Sequence, residues 1–300
     1  MVNRTRRILP GSCLAHGPRA MLATRVLTAV VLVPLVLAAL FLLPPAGWGP
    51  VSLVLIVVAS AEWANLAGFR KPARLLFVAA TFAIGGGLLL APPAGFDRGW
   101  PAMVVTAVCG GATLFWLFVA PPWLHYRWRP SSMLAFAGVG WLVLLGAWVA
   151  VVELQARSPW LVLAAMAIVW IADTAAYFAG RAFGRRKLAP EISPGKTWEG
   201  VYGALAAVTV YAVALTPLAA VAGYAGTVTP LLIVVWVAFV LVLTVLSVAG
   251  DLFESLLKRQ AGVKDSGQLR PGHGGILDRI DALLAAMPPA AVAALAILHR

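Results

Sequence analysis

Charge is scarce in this 300-residue chain, and acid is scarcest: 11 Asp and Glu stand against 23 Lys and Arg. Cysteine is nearly missing. Cys13 lies in a basic leading stretch and Cys109 in an apolar one. Two cysteines so placed exclude a disulfide framework and zinc-ligand spacing, and they fit a reducing compartment. Of the four histidines, His16, His125 and His299 have no polar company. No internal repeat of fixed period is found. Apolar residues, in contrast, make up 62% of the chain, and the mean hydropathy is +0.92. These values exclude a soluble globular protein. The net charge of +12 would suit a nucleic-acid binder. The basic residues, however, sit in short connections between apolar runs, as in a protein oriented in an anionic bilayer. The expected partner is therefore the lipid bilayer and not nucleic acid.

A membrane span needs about 20 apolar residues, and a bilayer offers backbone polar groups no partner outside a helix. The fold expected is an all-α polytopic membrane protein with about nine spans: 26–43, 50–68, 75–92, 102–120, 134–153, 159–180, 201–222, 229–250 and 280–298. On this reading alternate connections collect all but three of the 23 Lys and Arg residues, leaving only Arg98, Arg157 and Arg300 opposite. Positive charge stays inside, so the N-terminus is cytoplasmic and the number of spans odd. Residues 1–20 read as a basic tail, or Met21 is the true start. Residues 21–164 form an N-terminal helical region, and 165–300 a second one with cytoplasmic loops 181–200 and 251–281. Trp48, Trp100, Trp123, Trp128 and Trp160 lie near span ends, as expected of an interfacial aromatic belt.

The scarce charge is concentrated between Ser255 and Asp281. That stretch holds Lys258, Arg259, Lys264, Asp265, Arg270, His273, Asp278, Arg279 and Asp281, interleaved with Gly262, Gly267, Gly272, Gly274 and Gly275. Glycines let backbone N–H groups approach an anion. Lys and Arg neutralise phosphate. Carboxylates bind hard cations such as Mg²⁺, which bridge phosphates. Just upstream, Ser247, Asp251, Ser255, Lys258 and Arg259 share one face at helical spacing, which a solvated helix end would also show. Asp278 and Asp281 share a face at the start of the ninth span, where acidic residues are also ordinary helix caps.

Upstream, Ser193, Lys196 and Thr197 in Ser-Pro-Gly-Lys-Thr offer donors to phosphate oxygens, with Gly195 permitting close approach. Gly-Lys-Thr is not the end of a P-loop: Pro190 occupies the first glycine position and no strand is expected before it. Two acids fall inside spans, where they are costly and face the protein interior or water. Glu62 either lines a substrate cavity or partners another helix. Asp173 shares a face with Tyr177 and Arg181, and either forms an ion-pair ladder or points at the active site.

The Ser255–Asp281 stretch resembles the signature of the phosphatidate cytidylyltransferases, the CDP-diacylglycerol synthases. That pattern is Ser-x-apolar-Lys-Arg-x4-Lys-Asp-x-small, then Pro-x-His-Gly-Gly-apolar-x-Asp-Arg-apolar-Asp. It is met throughout, with the one departure that Arg270 precedes Pro271 in place of an apolar residue. Lys-Leu-Ala-Pro followed by Ser-Pro-Gly-Lys-Thr-Trp-Glu-Gly is similar to a second block of that family, and the surroundings of Asp173 and of Gly250-Asp251 also resemble it. The likeness is strongest over 165–281.

What the resemblance implies is transfer of CMP from CTP to phosphatidate, giving CDP-diacylglycerol and pyrophosphate, at the cytoplasmic face of the inner membrane. Asp251, Asp278 and Asp281 would hold Mg²⁺. A second metal ion such as K⁺ and a homodimer are compatible with the family. Lys258 and Lys264 would supply catalytic charge. Ser193, Lys196, Thr197, Ser255, Arg259, Gly274, Gly275 and Arg279 would contact phosphate. His273 fits a phosphate donor or loop organiser better than a base, because a phosphate monoester with a second pKa of about 6 is already largely anionic at neutral pH. Trp198 and Tyr202 are close enough in sequence to stack on a base. Three rivals stay in view: an ion-coupled transporter, a cytidylyltransferase for another lipid phosphate, and a CDP-alcohol phosphotransferase. The last family's Asp-Gly-x-x-Ala-Arg motif is absent.

Overall fold

A computed structural model describes residues 33–91, 99–221, 229–267 and 274–298. Two units separate, 1–39 and 40–300. The described part of the first is helical and opens α1 (Val33–Leu42). The rest of the expected first span, the basic tail, Met21, Cys13, Arg270 and His273 lie outside the described residues. In the second unit follow α2 (Pro45–Leu66), α3 (Lys71–Leu90), α4 (Ala102–Leu114), α5 (Ala120–Tyr126), α6 (Met133–Arg157) and α7 (Pro159–Phe183). A hairpin, β1 (Lys187–Ala189) and β2 (Ser193–Thr197), leads to α8 (Trp198–Val221), α9 (Pro230–Ala261) and α10 (Leu277–Leu298). Eight described spans are long and apolar enough to cross a membrane, α4 and α5 counting as one. The all-α reading holds apart from the hairpin.

The helix starts follow local chemistry. Proline opens α2, α3, α7 and α9 in the first turn, where its missing N–H costs nothing. Ser132, Ser158 and Thr229 cap α6, α7 and α9 through their hydroxyls. Between α4 and α5 the chain takes a π-helical turn at Phe115–Val119. Pro121 and Pro122 follow, and neither has an N–H to continue the ladder.

Helix α6 is the most buried span, and α10 packs against α9, α6, α4 and α7. Phe253 on α9 sits in an aromatic knot with Trp63, Phe115, Trp116 and Trp123, at ring separations of 5.3 to 6.4 Å. The expected tryptophan belt is corrected here. Trp48, Trp100 and Trp123 are buried inside the protein, while Trp128 and Trp160 are exposed. An indole near a span end packs inward when neighbouring helices offer it more apolar area than the lipid boundary does.

Four connections meet at one end of the bundle. Gln260 Nε2 donates to the carbonyls of Arg127 (3.2 Å) and Trp128 (2.9 Å), and Arg129 donates back to the Gln260 carbonyl (3.1 Å). Arg259 Nε donates to the Ile192 carbonyl (3.2 Å), Arg127 pairs with Glu191, and Asn65 and Gly68 at the α2–α3 turn line one pocket with Arg129 and Gln260. These contacts join the basic connections that the alternation of charge groups on one side. Near the other ends, buried Glu153 accepts from Arg157 and from the Trp100 backbone.

Candidate active site

The functional side chains lie where α9 runs on past its apolar stretch. The segment 251–261, bounded with the cytoplasmic loop but spaced as a helix face, continues α9 by about three turns, until Gly262 ends it in the left-handed conformation (φ 73°). A helix in place of a loop fixes Asp251, Glu254, Ser255 and Lys258 on successive turns of one face. Gly250 lets α10 close on this face. A Cβ there would stand 2.6 Å from the Asp281 carbonyl and 3.0 Å from Ala285 Cβ. This contact brings Asp281 beside Asp251.

Two lysine–aspartate pairs result. Lys196 Nζ, on β2, lies 2.6 Å from Asp251 Oδ2, and Ser255 donates to Asp251 Oδ1 at 3.3 Å. Asp173 on α7 and Asp281 on α10 both feel the charges of Asp251 and Lys196. The second pair is deeper. Lys258 Nζ lies 2.6 Å from Asp278 Oδ1 and 2.5 Å from Glu254 Oε2. Asp278 Oδ2 accepts from Gly275 N (2.7 Å) and Ser266 N (3.0 Å), and Ser266 Oγ lies 3.1 Å from it.

Among the described residues no three acidic or histidine side chains stand close enough to grip an ion as they are. The donors nevertheless suit a hard divalent cation, being carboxylate oxygens. Each of Asp251 and Asp278 already carries an ammonium at 2.6 Å, a position that a cation bound to the carboxylate would take. Asp281, set against both the Asp251 and the Lys196 charge, is the third oxygen donor at hand.

The hairpin was expected as plain loop. It pairs Lys187 with Thr197 and Ala189 with Ser193, and so holds Lys196 over α9. A strand therefore does carry Gly-Lys-Thr, but the three residues lie within it and not in a loop after it, which is not P-loop geometry. Glu199 in the first turn of α8 accepts the backbone N–H groups of Arg185 and Arg186 and pairs with the Arg186 side chain, closing the hairpin's base. Thr197 is buried, and its Oγ1 caps α8 by accepting from Gly200 N (3.2 Å). Removing that cap by Thr197→Ala should lower stability by about 1 kcal/mol and leave the substrate KM values unchanged. Thermal unfolding in detergent together with steady-state kinetics checks this.

The other sequence candidates are placed as follows. Lys264 and Arg279 are exposed on the loop and first turn of α10, and Ser193 is half-buried at the hairpin. Arg259 reaches the hairpin through the Ile192 carbonyl. Tyr177 accepts from Arg181 (3.1 Å), one rung of the expected ladder. Asp173, exposed on α7, lies within reach of the charges of Asp251 and Lys196. Trp198 and Tyr202 are exposed with ring centres 6.2 Å apart. Gly274 is left-handed (φ +72°) and packs on Asp278. Glu62 partners another segment: it binds the α9–α10 loop and the start of α10.

Comparison with known proteins decides what this geometry belongs to. Residues 23–297 match the model of the cytidylyltransferase family. The chain belongs to the cytidylyltransferase family. Its relatives include a phosphatidate cytidylyltransferase of Pseudomonas aeruginosa, 40% identical over 89% of this chain and 95% of that protein. One from Haemophilus influenzae is 36% identical over 89% and 96%, and one from Brucella suis is 36% identical over 88% and 90%.

In this cytidylyltransferase the sequence reading missed Glu254, Ser266 and Glu199. Glu254 had a signal, since it stands four residues before Lys258 on the same helix. Ser266 had none, because its partners Glu62 and Asp278 lie 204 and 12 residues away.

Proposed function

We propose that this cytidylyltransferase transfers CMP from CTP to phosphatidate, giving CDP-diacylglycerol and pyrophosphate, at the cytoplasmic face of the inner membrane. The observation that carries this reading is the pair of lysine–aspartate contacts, Lys196–Asp251 and Lys258–Asp278, at the end of the bundle where the basic connections gather. Positive charge gathered at one end supports a cytoplasmic site. Tyr177, Phe178 and Phe183 are exposed on α7 beside it, a surface suited to a lipid whose acyl chains stay in the bilayer.

A phosphate oxygen of phosphatidate attacks the α-phosphorus of CTP. The bond from that phosphorus to the bridging oxygen breaks, and pyrophosphate leaves with the electron pair. A dianionic phosphate monoester needs no base, and no enzyme nucleophile is required. The chain's own residues orient two anions and offset their charge. Lys196 is the half-buried cation of the shallow pair and meets phosphate from the hairpin. Lys258, held between Glu254 and Asp278, supplies charge from below. Ser193, Lys264 and Arg279 line the approach. Asp251, Asp278 and Asp281 would hold Mg²⁺, which when bound neutralises phosphate charge; a K⁺ ion as second metal and a homodimer belong to the same proposal. The transporter alternative loses one of its two intramembrane acids, because Glu62 is engaged by backbone N–H groups and Ser266.

Purified protein with Mg²⁺, CTP and phosphatidate should release pyrophosphate and form CDP-diacylglycerol, and ATP, GTP and UTP should not replace CTP. Pyrophosphate release with an isoprenoid phosphate but not with phosphatidate would overturn the acceptor. Ion flux in proteoliposomes without nucleotide turnover would overturn the enzyme.

A further inference from the structure

The first turn of α10 is an obvious anion site. Its leading N–H groups have no partner within the helix, and the helix dipole adds partial positive charge there. The motif glycines beside it suggest that a substrate phosphate takes the place. The structure fills it with the protein's own anion. Glu62, only 5% exposed, reaches across from α2. Its Oε1 accepts from Ile276 N at 3.0 Å and its Oε2 from Leu277 N at 2.8 Å.

The glycines are shaped to this carboxylate. A Cβ on Gly275 would collide with Glu62 Oε2 and Ser266 Oγ, and a Cβ on Gly267 would collide with Glu62 Oε1. The Ser266 hydroxyl lies 2.8 Å from Glu62 Oε2 and 3.1 Å from Asp278 Oδ2. Its single proton goes to the nearer acceptor, Glu62, while the Ser266 backbone N–H donates to Asp278 Oδ2 at 3.0 Å, so Ser266 links the two carboxylates into one unit. Asp278 in turn holds Lys258.

We infer that Glu62 is a positioning residue for the transfer reaction. It clamps the α9–α10 loop onto α2 and, through Ser266, sets Asp278 and hence Lys258. Gly275 is bare so that the Glu62 carboxylate fits, and substrate phosphate binds on the Lys196 and Lys258 side instead. This rests on the reading of the site as a cytidylyltransferase centre.

The test is a double-mutant cycle on Glu62→Ala and Gly275→Ala, read both as thermal unfolding in detergent and as turnover of CTP and phosphatidate. Gly275→Ala alone should lower the unfolding temperature and kcat. In the Glu62→Ala background the same change should cost less, because one of its two steric partners is gone and the Ser266 hydroxyl, freed from Glu62, can turn away. Glu62→Gln keeps the shape but turns an amide N–H₂ toward an N–H donor. It should lower kcat about 10-fold while the KM values for both substrates stay within about 3-fold. Equal costs of Gly275→Ala in both backgrounds, or a rise in the KM for CTP with kcat unchanged, would make Gly275 a phosphate-approach glycine and overturn the proposal. The unfolding arm needs no activity. A wild-type protein that releases no pyrophosphate would therefore sink the enzyme reading while the clamp was still judged on stability.

Discussion

Asp278→Asn should abolish turnover and loosen the protein at the same time. The Asp278 carboxylate accepts from Lys258, Gly275 N and Ser266 N, with the Ser266 hydroxyl 3.1 Å away, and its side chain is 15% exposed. Asparagine presents an N–H₂ group to donors on one side or the other, so one cluster of contacts turns repulsive. Breaking a buried charged pair costs about 3–5 kcal/mol. Lys258 keeps its 2.5 Å contact with Glu254, which places the expected loss nearer 2 kcal/mol. Turnover should fall about 10³-fold, the upper range for removing one electrostatic contact at a reacting centre. Steady-state kinetics at saturating CTP and phosphatidate, with thermal unfolding of the same preparation, measures both. An unfolding temperature equal to wild type would show that these contacts do not anchor the loop. Wild-type turnover would remove Asp278 from the site.

The contrast between local and distant interactions explains what the sequence revealed. Spans were legible because 18 or more apolar residues admit few other structures. The sequence also grouped Lys and Arg into alternate connections, from which an orientation is expected. The motif from Ser255 to Asp281 was legible as chemistry because its residue types are rare in so apolar a chain. Glu62 was legible as an anomaly but not as a role. Its partners Ser266, Ile276 and Leu277 lie more than 200 residues downstream, and no periodicity links a carboxylate on α2 to backbone N–H groups on α10. The helical spacing of Ser247 to Arg259 was legible, but the span was bounded at Gly250 because charge ended the hydropathy signal there, although helix propensity did not end. Leu252, Phe253, Leu256 and Leu257 are buried at the i, i+3/i+4 spacing that marks a continuing helical face. The hairpin escaped because three- and five-residue strands containing Pro194 and Gly195 contradict strand propensity. It is held by the pairing of its own ends and by Glu199.

Asp251→Asn should abolish turnover without loosening anything. Its side chain is 31% exposed and its partner Lys196 24% exposed, and a pair this open contributes only about 0–1 kcal/mol. Asp173 and Asp281 both repel the Asp251 charge, so removing it relieves like-charge contact and offsets the lost ion pair. The unfolding temperature should therefore stay near that of wild type while turnover drops about 10³-fold. Lys196→Met should lower turnover about 10²-fold. The double variant should be little worse than Asp251→Asn alone, because groups acting as one unit lose their function together. Strictly multiplicative losses would mean that the two side chains work independently despite their 2.6 Å contact. Full turnover in Asp251→Asn would move the reacting centre away from the α9 face altogether. The pairing of outcomes is what discriminates: a half-buried aspartate that fails in catalysis alone, beside a deeper one that fails in catalysis and stability, marks the rim and the floor of one site.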